Sequence, residues 1–164
     1  MKTQFCSFQS RQDRATQTAK DPVACETEKL AFDIVYFNLG KRPPSQSDDE
    51  VVKCLRYNVG RVLENHSITL NGMMSRIGVN RDTNFYQGLS ELSEEVFNQG
   101  HVSWSRIVTF FAFGVRLAQF CVDNEMPDLV IDVVSNMSRL AVDKLTPFLK
   151  DQGGWVRKEG DNFF

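Results

Sequence analysis

Few residues of this 164-residue chain have the types and spacing that catalysis or metal binding requires. The four cysteines and two histidines are scattered, and no two cysteines have CxxC spacing. These residues are Cys6, Cys25, Cys54, Cys121, His66 and His101. Such spacing is more typical of reduced thiols in a cytosolic protein than of a metal site or a disulfide framework. We therefore expect neither a metal nor a cofactor.

The sequence also lacks the short motifs that mark common enzyme classes. It contains no GxSxG, no Gly-rich phosphate loop, no HExxH and no Cys-His pair with an orienting group. Acidic clusters at 48–50 and 94–95 are better interpreted as charges at helix starts and on solvated faces. The net charge of −2 and the absence of a basic stripe argue against binding to nucleic acid. We expect a protein that is not an enzyme.

The most informative segment is SWSRIVTFFAFGVRLAQFCV, residues 103 to 122, because its apolar residues run almost all the way round a helix. Ser103 is a suitable N-cap for it. A helix that is apolar on every side must be surrounded by other helices or by lipid. Arg116 interrupts the apolar run, so no uncharged stretch reaches the about 18 residues that a membrane span requires.

For the rest of the chain, the sequence predicts a polar arm at 1–21 followed by one helical domain at 22–164. Amphipathic spacing predicts further helices, separated by loops rich in Gly, Pro and Asp. They are expected at 26–39, 51–66, 70–77, 85–97 and 127–149, with Pro147 bending or splitting the last, and a short helix starting at Trp155. The N-terminus has no apolar signal-peptide run, which indicates a protein that faces the cytosol.

Three of these segments resemble the conserved motifs of the Bcl-2 family of apoptosis regulators. EEVFNQGHVSWSRIVTFFAFG at 94–114 resembles the BH1 region, and the segment at 147–164, which includes DQGGWVRKEGDNFF, resembles BH2. The amphipathic helix at 26–39 is similar to BH4. The resemblance implies an all-α bundle of about eight helices around the central apolar helix at 103–122. It also implies a hydrophobic groove for a partner's BH3 helix.

Site residues follow from the same resemblance. A BH3 helix presents apolar anchors and one Asp, and the residue matching the family's BH1 arginine is Arg106. Its planar guanidinium can hold a carboxylate at two points. It could also simply solvate the first turn of a buried helix. The groove walls implied by motif position are Glu95, Val96, Thr109 and Phe113, with Tyr86 and Leu92 upstream and Ser103 and Ser105 beside the arginine. Each of the apolar ones could equally belong to the core, and Ser105 stands where most relatives have Gly.

The chain's own BH3-like segment, residues 51 to 66, is degenerate. Leu55 can serve as its central apolar residue, but Val59-Gly60 or Gly60-Arg61 replaces the expected small residue and Asp. This pattern favours a pro-survival receptor that sequesters BH3 helices of Bak/Bax-like or BH3-only relatives. A pore-forming executioner, whose central helix enters the mitochondrial outer membrane, remains the alternative. Relatives commonly carry a C-terminal membrane anchor, so we expect one beyond Phe164, at the mitochondrial outer membrane or endoplasmic reticulum.

Overall fold

The structure, a computed structural model, describes residues 21–97 and 101–155. Within these residues the chain forms six α-helices and one short 3₁₀ turn, and it forms no strand. The helices are α1 (Pro22–Asn38), α2 (Glu50–Asn65), α3 (Ser67–Ile77), α4 (Phe85–Phe97), α5 (Trp104–Asp123) and α6 (Val130–Asp151), with the 3₁₀ turn at Pro127–Leu129. The all-α class is confirmed. The arm at 1–20 and the helix expected after Trp155 lie outside the described residues.

The ends of the first helices are set by local hydrogen bonds. Asp21 caps α1, because its carboxylate accepts from the backbone N–H of Val23 at 2.8 Å. Pro22 occupies the first helical position, where a missing N–H costs nothing. Gly40 follows the end of α1 with a positive φ of 76°, as expected for a left-handed C-terminal cap. Asp49 caps α2, because its carboxylate accepts from the backbone N–H of Val52 at 2.9 Å.

α5 is the central helix, as the apolar pattern predicts. Its buried residues lie on all sides, and helices α1, α2, α3, α4 and α6 all pack against it. The closest packing is at Gly114, where an added Cβ would lie 2.0 Å from the Sδ atom of Met137 on α6. A side chain at this position would therefore displace the buried Met137, so glycine allows α5 and α6 to pack closely there.

Pro147 does not split the last helix, because α6 runs without interruption to Asp151. Pro147 lies close to the C-terminal end of α6, so the missing N–H removes only one late backbone hydrogen bond. The Thr146 hydroxyl donates to the carbonyl of Val142 at 2.5 Å beside it. The α3 prediction also needed correction, since this helix begins at Ser67 and not at Leu70.

Candidate functional site

A cleft of about 500 Å³ lies between α3 and α4 and the loop that joins them. Its apolar lining consists of Met73 and Ile77 on α3 and Leu92 on α4, and Gly88 contributes backbone. Around these residues lie charged and polar side chains. They are Arg76, Asn80, Asp82, Thr83, Asn84, Gln87, Glu91 and Glu95. The cleft therefore has a short apolar strip inside a polar rim, which is an arrangement suited to an amphipathic helix.

The two walls are anchored to different extents. α4 buries Phe85, Leu89, Leu92, Ser93 and Phe97, so it is held firmly against the bundle. α3 buries only Leu70 and Met74, and it rests on α5 and α2. Because few apolar contacts hold α3, it is the wall that can move at the smaller cost.

The backbone of α4 lies close to the end of α3 at Gly88. The side chain of Ile77 lies 3.2 Å from the position that a Cβ on Gly88 would occupy. Asn84 begins α4 there, and its side-chain oxygen accepts from the backbone N–H of Gln87 at 3.0 Å. Asp82 and Thr83 lie in the preceding loop and line the same cleft. Glycine at position 88 allows the end of α3 to lie against α4.

An ion pair spans the other end of the cleft. The guanidinium of Arg76 donates two hydrogen bonds to the carboxylate of Glu95, at 2.6 and 3.0 Å. The hydrogen bond with Glu95 raises the pKa of Arg76, and the same bond lowers the pKa of Glu95. Both side chains are more than half exposed, so water screens much of this interaction.

The first turn of α5 carries the arginine that the BH1-like motif singles out. Ser103 caps the helix, since its hydroxyl accepts from the backbone N–H of Arg106 at 3.3 Å. Arg106 is half-buried, and its guanidinium donates to the backbone carbonyl of His101 at 3.1 Å. Ser105 lies beside the cap, with its hydroxyl 3.3 Å from that of Ser103. A backbone carbonyl is a weaker partner than a carboxylate, so Arg106 can exchange it for an acidic ligand group.

The candidate residues fall into three groups in the structure. Leu92 and Glu95 line the cleft between α3 and α4. Val96 and Thr109 are half-buried, and the Thr109 hydroxyl donates to the carbonyl of Ser105 one turn earlier. Arg106, Ser103 and Ser105 lie at the start of α5 and are not among the residues that line the cleft. The structure thus brings together only part of the predicted set.

Two expectations are corrected. Tyr86 is on the opposite side of α4 from the cleft, where the guanidinium of Arg139 on α6 lies 4.7 Å from its ring centre. Tyr86 lies about one helical turn before Leu89, on the side of α4 that faces α6. It therefore does not face α3. Phe113 has no exposed surface at all and belongs to the core, because α5 is surrounded on that side. Phe113 cannot contact a partner in this conformation, whereas Tyr86 is 41% exposed but faces away from the cleft.

Sequence reasoning missed Arg76 and Gly88 as cleft residues. Met73 and Ile77 carry a visible signal, since they form an apolar stripe on a short helix. Arg76 carries none, because only the packing of α3 beside α4 brings it to Glu95.

The BH3-like helix α2 is fixed to α1 by a nearly buried ion-pair network. Arg56 donates to the Asp33 carboxylate from Nε at 3.0 Å and from Nη2 at 2.7 Å, and to Asp48 from Nη1 at 2.7 Å. Its guanidinium also lies 4.2 Å from the ring centre of Phe37. Hydrogen bonds to Asp33 above all raise the pKa of Arg56, and a backbone hydrogen bond from Ser45 with the Arg56 contact lowers the pKa of Asp48.

The apolar stripe of α2 faces inwards as well. Leu55, Val59 and Val62 are all buried in the core, and α2 packs against α5. A helix used as a ligand must present such a stripe to its receptor. In this conformation α2 presents only its polar face, which includes the exposed Tyr57 and Arg61.

The three motif segments other than α2 meet at Trp155. Its indole N–H donates to the hydroxyl of Thr27 on α1 at 2.7 Å, in a buried position. Its ring lies 5.7 Å from that of Trp104 and 6.2 Å from that of Phe111, both on α5. Trp104 also packs edge-on against Phe148. Trp104 is thus a packing residue, and the motifs share one aromatic cluster.

Similarity to known proteins agrees with these motifs. Residues 55–155 match the family model described as "Apoptosis regulator proteins, Bcl-2 family". The chain is 43% identical to Bcl-2-like protein 1 of Gallus gallus over 72 residues, which are 44% of this chain and 31% of that protein. It is 28% identical to Apoptosis regulator R11 of Xenopus laevis over 66% of this chain and 52% of that protein. Apoptosis regulator BAX of Bos taurus is 22% identical over 69% of this chain and 56% of that protein. The chain therefore matches about a third to a half of the length of these relatives.

Proposed function

Because the chain belongs to the Bcl-2 family, whose members regulate apoptosis and are not enzymes, we propose that it is a pro-survival receptor. It binds the BH3 helices of pro-apoptotic relatives in the groove beside α4 and sequesters them. The observation that carries this proposal is the cleft between α3 and α4, with its apolar strip of Met73, Ile77 and Leu92. That strip offers a partner helix the kind of surface that its own apolar face needs.

The state of α2 supports the receptor role over the ligand role. Its apolar stripe is buried, and Arg56 ties it to two carboxylates. Releasing α2 as a ligand would expose that stripe and break a nearly buried ion pair, each at a cost in free energy. The degenerate sequence at Val59-Gly60 would also gain little from binding, since it offers no Asp to a receptor's arginine.

Arg106 would be the polar anchor of the groove. It is half-buried at the start of α5 and holds only a backbone carbonyl of its own chain among the described residues. An incoming Asp would be a stronger partner, because both groups are charged and the contact is partly shielded from water. The bound helix would then run from the α3–α4 cleft towards the first turn of α5, with Val96 and Thr109 between them.

Calorimetric titration against a panel of BH3 peptides from Bak/Bax-like and BH3-only relatives tests the proposal. We expect at least one peptide to bind with a Kd tighter than about 10 μM, which corresponds to roughly −7 kcal/mol. A control panel has Glu in place of two apolar anchors of each peptide and should not bind. If no peptide of the native panel binds more tightly than that limit, the receptor function is excluded.

A pore-forming role is a second candidate, and α5 supports it. Among the described residues, α5 is the one helix long and apolar enough to cross a membrane, although most of it is buried in the bundle. The chain also resembles Apoptosis regulator BAX of Bos taurus, with 22% identity over 69% of this chain. Liposomes that contain a fluorescent dye separate the two roles. A receptor should suppress leakage caused by a pore-forming relative and cause none itself, even with a BH3 peptide added.

We also propose that the protein acts at the cytosolic face of the mitochondrial outer membrane or the endoplasmic reticulum. The family's association with these membranes supports this proposal. Fractionation of cells that produce the full-length protein would test it.

A further inference from the structure

The Arg76–Glu95 ion pair is the only ion pair between α3 and α4 in the part of the chain that the structure describes. Both residues line the cleft, and each belongs to a different wall. The two hydrogen bonds form a paired fork, which fixes the guanidinium and the carboxylate in one plane. The pair therefore bridges the opening through which a partner helix must enter.

A helix cannot enter this cleft while the walls keep their present separation. An α-helix with its side chains is about 10 Å across. At the Gly88 end even one added carbon would be tightly packed, because Ile77 lies 3.2 Å from the position that a Cβ on Gly88 would occupy. To reach Met73, Ile77 and Leu92, a ligand must move α3 away from α4, and this movement separates Arg76 from Glu95.

Once separated, the two side chains present opposite charges on opposite walls of the groove. Each charged group that loses its partner near an apolar surface needs a new one or must be fully hydrated. The neighbouring side chains do not remove this difference in charge between the α3 wall and the α4 wall. Glu91, another acidic residue of α4, also lines the cleft, and its side chain accepts from Gln87. The α4 wall is therefore acidic, whereas α3 contributes one cation at this point.

We propose that Arg76 and Glu95 determine which helices bind, by selecting ligands with an acidic side chain towards α3 and a basic side chain towards α4. The inference rests on the proposed receptor function and adds a rule of partner choice to it. A matching ligand replaces the broken ion pair with two new ones. A ligand with apolar or reversed charges at these positions leaves both groups without a partner.

A charge scan of one BH3 peptide tests this selection. Glu and Lys are placed in turn at each position flanking the apolar anchors, and Kd is measured by fluorescence anisotropy. The receptors are the wild type, the exchanged variant Arg76→Glu/Glu95→Arg, and Glu94→Gln. The exchanged variant keeps an ion pair between the walls but inverts the charge of each wall. Glu94 is a matched control, because it neighbours Glu95 but pairs with Lys144 on α6.

For the wild type we expect at least one position where Glu and Lys peptides differ about fivefold or more in Kd. The exchanged variant should reverse that preference, and Glu94→Gln should leave it within about twofold. Circular dichroism checks that all three receptors are equally helical. The selection rule is wrong if the unmodified peptide binds but the exchanged variant keeps the wild-type preference. It is also wrong if the peptide binds and neither receptor prefers Glu or Lys at any position. In both cases the receptor function stands. If the unmodified peptide does not bind at all, the receptor function fails, and this inference fails with it.

Discussion

Arg56 on α2 and Asp33 on α1 form a two-point ion pair, with N–O distances of 3.0 and 2.7 Å and side chains only 7% and 11% exposed. This contact joins the BH4-like helix to the BH3-like helix in a site where water cannot replace a lost partner. It explains why α2 belongs to the scaffold of the bundle.

The first prediction concerns this ion pair. Asp33→Ala should lower the free energy of unfolding by about 3 kcal/mol, because removal of one partner leaves a nearly buried charge short of its main contact. Urea denaturation followed by circular dichroism measures the change. Arg76→Ala is the control, since water screens its exposed ion pair and this variant should lose much less stability. A loss below 1 kcal/mol for Asp33→Ala would contradict a structural role for the pair.

The second prediction concerns Arg106. Arg106→Ala should weaken a binding BH3 peptide by about 1 to 3 kcal/mol, because the ligand's Asp would lose its charged partner in a partly buried site. Arg106→Lys should restore part of the affinity, since Lys keeps the charge but not the planar fork. Calorimetric titration provides both values. Equal affinity of the Ala variant and the wild type would leave Arg106 as a residue that solvates the start of α5.

The third prediction tests the packing of α5 against α6. Gly114→Ala should destabilise the protein by about 1 to 3 kcal/mol, because its Cβ would overlap the buried Met137 side chain. Met137→Ala alone should also destabilise it, by about 2 to 5 kcal/mol through the cavity it leaves. The double variant should lose less than the sum of the two, since the new methyl group enters that cavity. Strict additivity in denaturation experiments would show that the two residues do not contact each other.

The fourth prediction concerns the thiol of Cys121. Burial raises its pKa to about 11, with a smaller contribution from the negative charge of Asp128. The thiol therefore stays protonated at neutral pH and should not react with Ellman's reagent in the folded protein. In a Cys6→Ser/Cys25→Ser/Cys54→Ser variant, we expect no reaction at pH 8 until guanidinium unfolds the chain. Fast reaction under native conditions would show that α5 opens to solvent.

The same thiol has a consequence for stability against pH. The unfolded thiol ionises near its ordinary pKa, whereas the folded one holds its proton to about 11. The unfolded state is therefore favoured as pH rises from about 9 towards 11, and stability falls over that range. The variant Cys121→Ser, compared by denaturation at pH 8 and pH 10, should lose this part of the pH dependence.

The sequence predicted best those features that depend on residues close together in the chain. The spacing of apolar residues gave the helices, and α5 was recognisable as central because it is apolar on all sides. The predicted cap Ser103 acts within a few residues of its helix end, whereas α1 begins at Pro22, four residues before its predicted start. In contrast, the start of α3 at Ser67 depends on weaker local preferences, and it was predicted three residues too late.

The site was predicted only in part, because its lining depends on which helices become neighbours. The motif around Arg106 could be recognised as a string of residues, and Leu92 and Glu95 were correctly expected beside the cleft. Tyr86 and Phe113 lie on the same helices and follow the same periodicity, yet one packs beside α6 and the other in the core. Periodicity gives the angle of a side chain around its own helix, but not the helix that it will face.

The sequence by itself determined the family, the helical class and the central position of α5. Each of these depends on a motif or an apolar spacing within one segment, which can be recognised without knowing which segments pack together. Only the tertiary structure decided that Arg56 fixes the BH3-like helix to α1 and that Arg76 meets Glu95 across the cleft. Arg56 is 23 residues from Asp33, and Arg76 is 19 residues from Glu95. Interactions at such separations arise from the packing of whole helices, and the local sequence around each residue carries no signal for them.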